Sequence, residues 1–492
     1  MKKLFAFLLL VAGALTAVAQ VNRPKLVVGL VVDQMRWDYL YYYYDQFGED
    51  GLRRLVDQGY SFENTMINYV PTVTAIGHAS IYTGSVPALM GIAGNNFFEN
   101  DEPKYCVGDP SVKSVGSNTS AGQMSPRNLL ASTIGDELHI ATDFKSKVVG
   151  VALKDRAAIL PAGHSADGAY WWDTKAGRFV TSTFYRNELP EWVAAFNKKY
   201  QQKPGTDVKM MDLGITLTFK LAEEALENEQ MGKDDVTDFL AVSISSTDAI
   251  GHAYSTRGKE ISSAYMQLDK DLAAFFKVLD SKIGKDNYLL FLTADHGGAH
   301  NPNFMKRHRI PAGGFEGWTI GGKELNAHLQ QTFGTQAKLV TGANSFRVYI
   351  NRKGVAEAGL DLQRVKDEAA AWLMKRPEVM YVADHARLAN QAIPQPIKER
   401  IINGWNVKRS GDLTIITAPG WLEATNSPDY KGTGHSQWNP YDAHIPFVLY
   451  GWNVKKGSTV EPTRIVDIAP TICAMLHIQM PNACVGDAKQ IR

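Results

Sequence analysis

The chain predicts an α/β fold, with a mostly parallel central sheet sandwiched by helices and inserted cap segments above it. Three observations predict this. Several stretches are nearly continuous apolar, β-branched runs, as in strands buried on both faces. Helical patterns alternate with them. Asp and His residues stand just past the runs, where working residues gather in open α/β sheets.

The elements follow in order. The run from Lys25 to Val32 predicts the first strand, and Asp33 stands just past it. A short helix from Gly51 to Gly59 puts Leu52, Leu55 and Val56 on one face. An apolar helical stretch begins at Thr74 and ends at Tyr82, before Thr83 and Gly84. The strand from Lys147 to Leu153 leads to Lys154 and Arg156. Amphipathic helices are expected from Met210 to Asn228 and from Ile261 to Leu279. Between them the strand from Asp238 to Ser245 leads to Asp248 and His252. The strand from Asn287 to Thr293 leads to Asp295 and His296. A fourth core strand, Ile445 to Tyr450, comes just after His435, and a helix from Ile465 to Leu476 closes the fold.

Two stretches interrupt the alternation. Residues 161–207 are rich in Trp, Tyr, Asn and Gly with weak periodicity. Residues 303–430 mix a helix near Leu362 to Arg376 with a strand at Asp412 to Thr417. Both are expected to be insertions lying over the strand ends of one catalytic domain, residues 20–492.

Composition bounds the partners. The chain has 492 residues, 45% hydrophobic and 21% charged, with net charge +1. That is ordinary for a globular protein and gives no bulk attraction to nucleic-acid polymers or anionic membranes. Anionic ligands must be caught by local charge. Lys2 and Lys3, the apolar run Leu4 to Val18, and small residues around Ala17 and Ala19 predict a signal peptide over residues 1–19. The expected location is periplasmic or secreted, with no stable membrane anchor after cleavage. Three cysteines, Cys106, Cys473 and Cys484, lack zinc-thiolate spacing. Each is most simply a buried free thiol, although an exported protein could pair two of them. No protein partner is readable.

The chemistry sits in four separated segments. They supply Asp33, Asp248 with His252, Asp295 with His296, and His435: three Asp and three His, enough for three ligands to each of two metals. Asp248 and His252 are four apart and could share one ion from a helical turn. Among the other histidines, His300 and His444 lie near ligand segments as decoys or supporting groups, and His477 is expected to pack at a helix end. Thr74 opens its helix, where free N–H groups and the dipole favour an alkoxide and the phosphate it attacks. Capping the helix is the alternative for Thr74, and Thr72 is a competing hydroxyl. Asn95 lies in a glycine-rich loop. Lys154 and Arg156 offer two cations past a buried strand, suited to an anion. The combination predicts metal-assisted phosphoryl transfer to a hydroxyl nucleophile.

These residues resemble the alkaline phosphatase superfamily, most nearly the exported bacterial phosphomonoesterases of the PafA type, which use a threonine nucleophile. The matching segments run from Asp33 to His435 and include Thr74 to His78 and Leu153 to Arg156. The resemblance implies one zinc held by Asp248, His252 and His435. It implies a second held by Asp33, Asp295 and His296, with Thr74 also against it. Asn95, Lys154 and Arg156 would bind the non-bridging phosphoryl oxygens, and a phosphothreonine intermediate would form. Met90 stands where related proteins commonly have His, but it is not among the expected ligands. The implied substrates are small-molecule phosphate monoesters. A phosphodiesterase or nucleotide pyrophosphatase shares the zinc motifs and the threonine. A sulfatase would need a Cys/Ser-x-Pro-x-Arg pattern, which residues 74–78 lack. A secreted zinc-binding protein with a dead site is the non-enzyme alternative.

Overall fold

Six buried Leu and Val side chains around Gly29, over Leu26–Val32, form β1 at the middle of the main sheet. Burial of each such side chain stabilises the fold by roughly 1.5–3 kcal/mol. The computed structural model describes residues 21–491, so the expected signal peptide lies outside the described residues. The other strands of this sheet, in chain order, are β2 Tyr60–Phe62, β3 Ser114–Val115, β4 Val148–Ala152, β5 Gly168–Asp173, β6 Arg178–Ser182, β7 Asp238–Ile244, β8 Tyr288–Thr293, β9 Phe447–Gly451 and β10 Gly457–Thr459. They lie in the order β10-β2-β9-β8-β1-β7-β4-β5-β6-β3.

The five strands β8, β1, β7, β4 and β5 run parallel, and β9 and β6 flank them antiparallel. Parallel neighbours need helical crossovers, which cover both faces and explain the unbroken apolar runs. The crossovers use helices α1 Thr74–Thr83, α2 Asp155–Ala162, α3 Asp212–Asn228, α4 Ser246–Tyr254 and α5 Lys259–Lys282, and α6 Ile468–Leu476 ends the fold. His477 is exposed at the left-handed C-cap of α6, φ 52°, rather than packed as expected. The fold class is therefore as the sequence predicts: α/β, with a mixed, mostly parallel sheet.

Helix α1 seats unusually close to the sheet. A Cβ on Gly29 of β1 would fall 2.5 Å from the Tyr82 hydroxyl and 2.6 Å from the Phe291 ring. A Cβ on Gly77 of α1 would fall 2.2 Å from the Asp295 carbonyl oxygen. Only glycine permits these approaches, and they press α1 against both β1 and the segment after β8.

Residues 161–207 do not form a layer over the strand ends. Their strands β5 and β6 extend the main sheet, with β5 pairing β4 in parallel. Every residue of β5, Gly-Ala-Tyr-Trp-Trp-Asp, is buried, so its two faces show no alternation and its strand character was masked. Residues 303–430 instead carry a separate antiparallel sheet of Val340–Asn344, Arg347–Ile350, Leu413–Thr417 and Val379–Asp384, in that spatial order. It has its own apolar core, including Leu325, Leu339, Val348, Val365 and Leu413. Among the described residues no helix is long and apolar enough to cross a membrane. All three cysteines are free thiols, with Cys106 pushed up to about 12 by burial.

Candidate active site

Four adjacent strands end at one place. Asp33 follows β1, Lys154 follows β4, Asp248 lies in the first turn of α4 after β7, and Asp295 follows β8. Because β8, β1, β7 and β4 are neighbours, residues some 260 positions apart in sequence meet over their carboxyl ends, as when the Gln34 backbone amide donates to Asp295 Oδ1 at 3.1 Å. His435 reaches the same place from the segment before β9.

The ligating atoms form two groups. In the first, His252 Nε2 lies 3.1 Å from Asp248 Oδ1, and His435 Nε2 lies 3.8 Å from the same oxygen. In the second, Asp33, Asp248 and His296 bring one ligating atom each within 4.8 Å of one another. Asp248 thus bridges the two groups. Asp295, expected in the second, stands at its edge with Oδ2 3.4 Å from His296 Nε2. Its Oδ1 is engaged by the backbone amides of Gln34 and His296.

Each histidine is oriented by a backbone carbonyl. Nδ1 donates to Thr433 O from His252 at 3.0 Å, to Gly297 O from His296 at 2.9 Å, and to Thr72 O from His435 at 2.6 Å. A carbonyl can only accept, so the proton is on Nδ1 and the Nε2 lone pair faces the site, the arrangement of metal-ligating imidazoles. Burial, together with the nearby His296 and His252, pushes His435 well below the usual histidine range, and burial lowers His296. Both rings are therefore neutral donors. His252 is the most exposed candidate ligand, and Asp248 raises its pKa against the effect of burial.

The residues fit divalent cations. Asp33 Oδ1, Asp295 Oδ2 and His296 Nε2 are buried without a hydrogen-bond partner. Each such atom costs about 1–3 kcal/mol unless something satisfies it. The charge also calls for cations. Lys154 Nζ sits 2.7 Å from Asp33 Oδ2 and 2.6 Å from Asp248 Oδ2, one lysine among three buried carboxylates. Burial and repulsion from Asp295 push Asp33 well above the usual carboxylate range. Burial opposes ionisation of Asp248 too, but His252 and Lys154 hold it well below. Carboxylate oxygen and imidazole nitrogen are a borderline-hard donor set. The site can hold two metal ions.

Thr74 lies at this centre. It is the first residue of α1, whose N-cap is Val73 with no side-chain cap, so Thr74 does not cap the helix. Its buried Oγ1 lies 3.5 Å from Lys154 Nζ. The helix N-terminus is served instead by Asn95, whose Oδ1 accepts from Ala75 N at 2.9 Å. Thr72 is occupied: its Oγ1 donates to Gln437 O and accepts from Ser436 N, each at 3.1 Å. Arg156 donates through Nη1 to the Tyr105 hydroxyl at 3.1 Å, and Tyr105 donates to Asp155 Oδ1. Burial opposes the Arg156 charge, but Tyr105 and Asp155 hold its pKa above the usual arginine range.

Several contributors were not among the residues the sequence singled out. Gln34, at φ 63°, donates through Nε2 to Asp248 Oδ1 at 2.7 Å. His78 is buried on α1, bonded to Thr74 O at 2.9 Å and Ser243 Oγ at 2.7 Å, with Nδ1 3.3 Å from Asp295 Oδ2. It ends the segment Thr74 to His78 that carries the resemblance, and its spacing of four from Thr74 on a helix was the further signal. His300 bonds Thr256 Oγ1, His444 stacks on Trp37, and Met90 is buried against Thr83.

Comparison with known proteins agrees with this geometry. The family described as Type I phosphodiesterase / nucleotide pyrophosphatase matches residues 27–442. Alkaline phosphatase PafA of Elizabethkingia meningoseptica is 45% identical, over 99% of this chain and 98% of that protein. Alkaline phosphatase PhoV of Synechococcus elongatus is 43% identical, over 95% and 92%. The crystal structure of wild-type PafA superposes with a TM-score of 0.91, covering 95% of this chain and 98% of that one. A second PafA structure, TM-score 0.90, carries substitutions at one threonine, one asparagine, one lysine and one arginine. The chain belongs to the type I phosphodiesterase / nucleotide pyrophosphatase family, and within it is an alkaline phosphatase of the PafA type.

Proposed function

We propose that this phosphatase is a zinc enzyme that cleaves small-molecule phosphate monoesters through a phosphothreonine at Thr74. Asp248, His252 and His435 would hold one ion, and Asp33, Asp295 and His296 the other, with Thr74 beside it. Bound there, the ions supply Lewis-acid charge to the attacking and leaving oxygens and lower the pKa of the hydroxyl.

The chain's own groups do the rest. Thr74 Oγ1 attacks phosphorus, the bond to the leaving oxygen breaks, and water later cleaves the phosphothreonine to phosphate. The N-terminus of α1, whose Ala75 amide is taken by Asn95, offers the positive end of its dipole and its remaining first-turn amides to the phosphoryl group. The Asn95 side chain, anchored through Oδ1 to Ala75 N, has its Nδ2 free to donate. Lys154 and Arg156 neutralise the non-bridging oxygens. Such a loose transition state is stabilised mainly by positioning and fixed charge.

One observation carries the reading: Lys154 Nζ touches Thr74 Oγ1 while lying between two buried carboxylates whose neighbours have unmet ligating atoms. Sequence spacing supports it. The threonine and asparagine substituted in the PafA variant are 21 positions apart and the lysine and arginine two apart, as are Thr74 and Asn95, and Lys154 and Arg156, here. Export to the periplasm or medium is part of the proposal, supported by Lys2, Lys3 and the apolar run from Leu4 to Val18.

The family description favours one second reading, cleavage of diesters. A diester has one phosphoryl oxygen blocked and has less use for two cations. The ratio of kcat/KM for an aryl monoester to that for the matching diester, on zinc-loaded and chelated protein, separates the two. A ratio well above one that chelation abolishes is expected. A ratio below one moves the enzyme to the diesterase branch.

A further inference from the structure

Arg347 opens the strand Arg347–Ile350 of the second sheet, but its side chain points its charge at other segments. The residue is 2% exposed. Its guanidinium donates to three backbone carbonyls: through Nη1 to Ala93, and through Nη2 to Gly404 and, at 3.0 Å, to Val70. Burial pulls it down to about 10, and among the described residues the ionisable neighbour raising it is Tyr349, not a carboxylate. A buried cation without a counter-ion is costly, and charge-assisted bonds to the three carbonyls offset that cost while fixing where the carbonyls lie.

Two of those carbonyls belong to the segments that carry the reaction. Val70 stands four residues before Thr74, and Ala93 two residues before Asn95. Neighbouring ties repeat the pattern. Val70 N donates to Arg400 O at 3.1 Å, and Arg409 Nη1 donates to Gly91 O at 2.8 Å. A Cβ on Gly404 would fall 1.7 Å from Val70 O, so the two backbones are in direct contact there. At the far end the same two segments meet again, where Ala75 N donates to Asn95 Oδ1. The two loops and the guanidinium make a closed frame.

We propose that Arg347 is a positioning residue: by holding the Val70 and Ala93 carbonyls on one planar fork, it sets the offset between the Thr74 hydroxyl and the Asn95 amide. The inference rests on the roles proposed above for Thr74 and Asn95. Arginine suits the task because its donors lie in a fixed plane, whereas lysine is a point charge on a flexible stem. It also gives the second sheet a purpose in the reaction without any contact with substrate.

The test is a double-mutant cycle on zinc-loaded enzyme with an aryl phosphate monoester, with zinc content and Tm recorded for each variant. Arg347→Met is expected to keep its zinc and its KM while kcat falls about tenfold or more, with Arg347→Lys intermediate. In an Asn95→Ala background the same substitution is expected to cost less than about twofold, because the offset it sets no longer matters. Equal losses in both backgrounds, or an unchanged kcat in Arg347→Met, would overturn the proposal and leave Arg347 a structural tie. Full turnover in Asn95→Ala alone would remove Asn95 from the reaction, and the clamp's function with it. If Arg347→Met does not fold, the cycle is run with Arg347→Lys and judged by the same criteria.

Discussion

Among the described residues two lysines are buried against aspartates, and they do different things. In the second sheet, Lys366 Nζ lies 2.7 Å from Asp384 Oδ1, which also accepts from Ala386 N, while Oδ2 accepts from Gln363 Nε2. Every polar atom of that carboxylate is met. Over the main sheet, Lys154 lies between Asp33 and Asp248, and around it Asp33 Oδ1, Asp295 Oδ2 and His296 Nε2 are unmet. A buried ion pair alone therefore does not mark an active site. What marks it is the convergence of ligating atoms that the protein leaves unsatisfied, beside a hydroxyl at a helix N-terminus.

The comparison can be broken at several points. The largest effect is expected at Thr74. Thr74→Ala should retain both metals yet lose turnover on the order of 10³-fold or more, since it removes the proposed nucleophile and nothing that binds metal through a charge. A variant that stayed active, alongside an inactive Thr72→Ala, would transfer the role to Thr72. Next come the two cations. Lys154→Ala combined with Arg156→Ala should lower kcat/KM for a monoester by about 10²-fold or more and affect a diester far less. Equal losses on both substrates would deny these side chains a role in recognising the dianion. The smallest effect on activity is expected at Lys366 of the second sheet. Lys366→Met leaves a buried carboxylate without its cation, so stability should fall by about 3 kcal/mol in denaturant titration while kcat/KM stays within about twofold. If activity collapsed there as it does at Lys154, the contrast between the two pairs would be lost.

Much of this was legible in the chain. Strands β1, β4, β7 and β8 are continuous apolar runs because both faces are buried, and every candidate ligand except His435 stands a few residues past one of them. The helices from 212 and 259 follow the amphipathic pattern. Other features left no local trace. Strand β5 is aromatic and buried throughout, so it has no period to read. The antiparallel direction of β9 is set by its partner, not by its own residues. The sharing of Asp248 between the two ligand groups depends on where α4 begins relative to β1. Gln34, His78 and Arg347 act as single polar residues through contacts made only in the fold.

The placement of His435 has a consequence for the order in which the site comes into being. Asp33, Lys154, Asp248 and Asp295 all lie in the first 295 residues and could gather on four neighbouring strands while the rest of the chain is still being made. The first ligand group is incomplete until His435 arrives, 183 positions after His252 and beyond the whole second sheet. Between the two, Gly432 packs so tightly on His252 that a Cβ there would fall 1.9 Å from its carbonyl oxygen. A chain cut short before this point carries the acids but not the closing imidazole. The first group of candidate ligands therefore closes only after residue 435 has been made and folded back against His252.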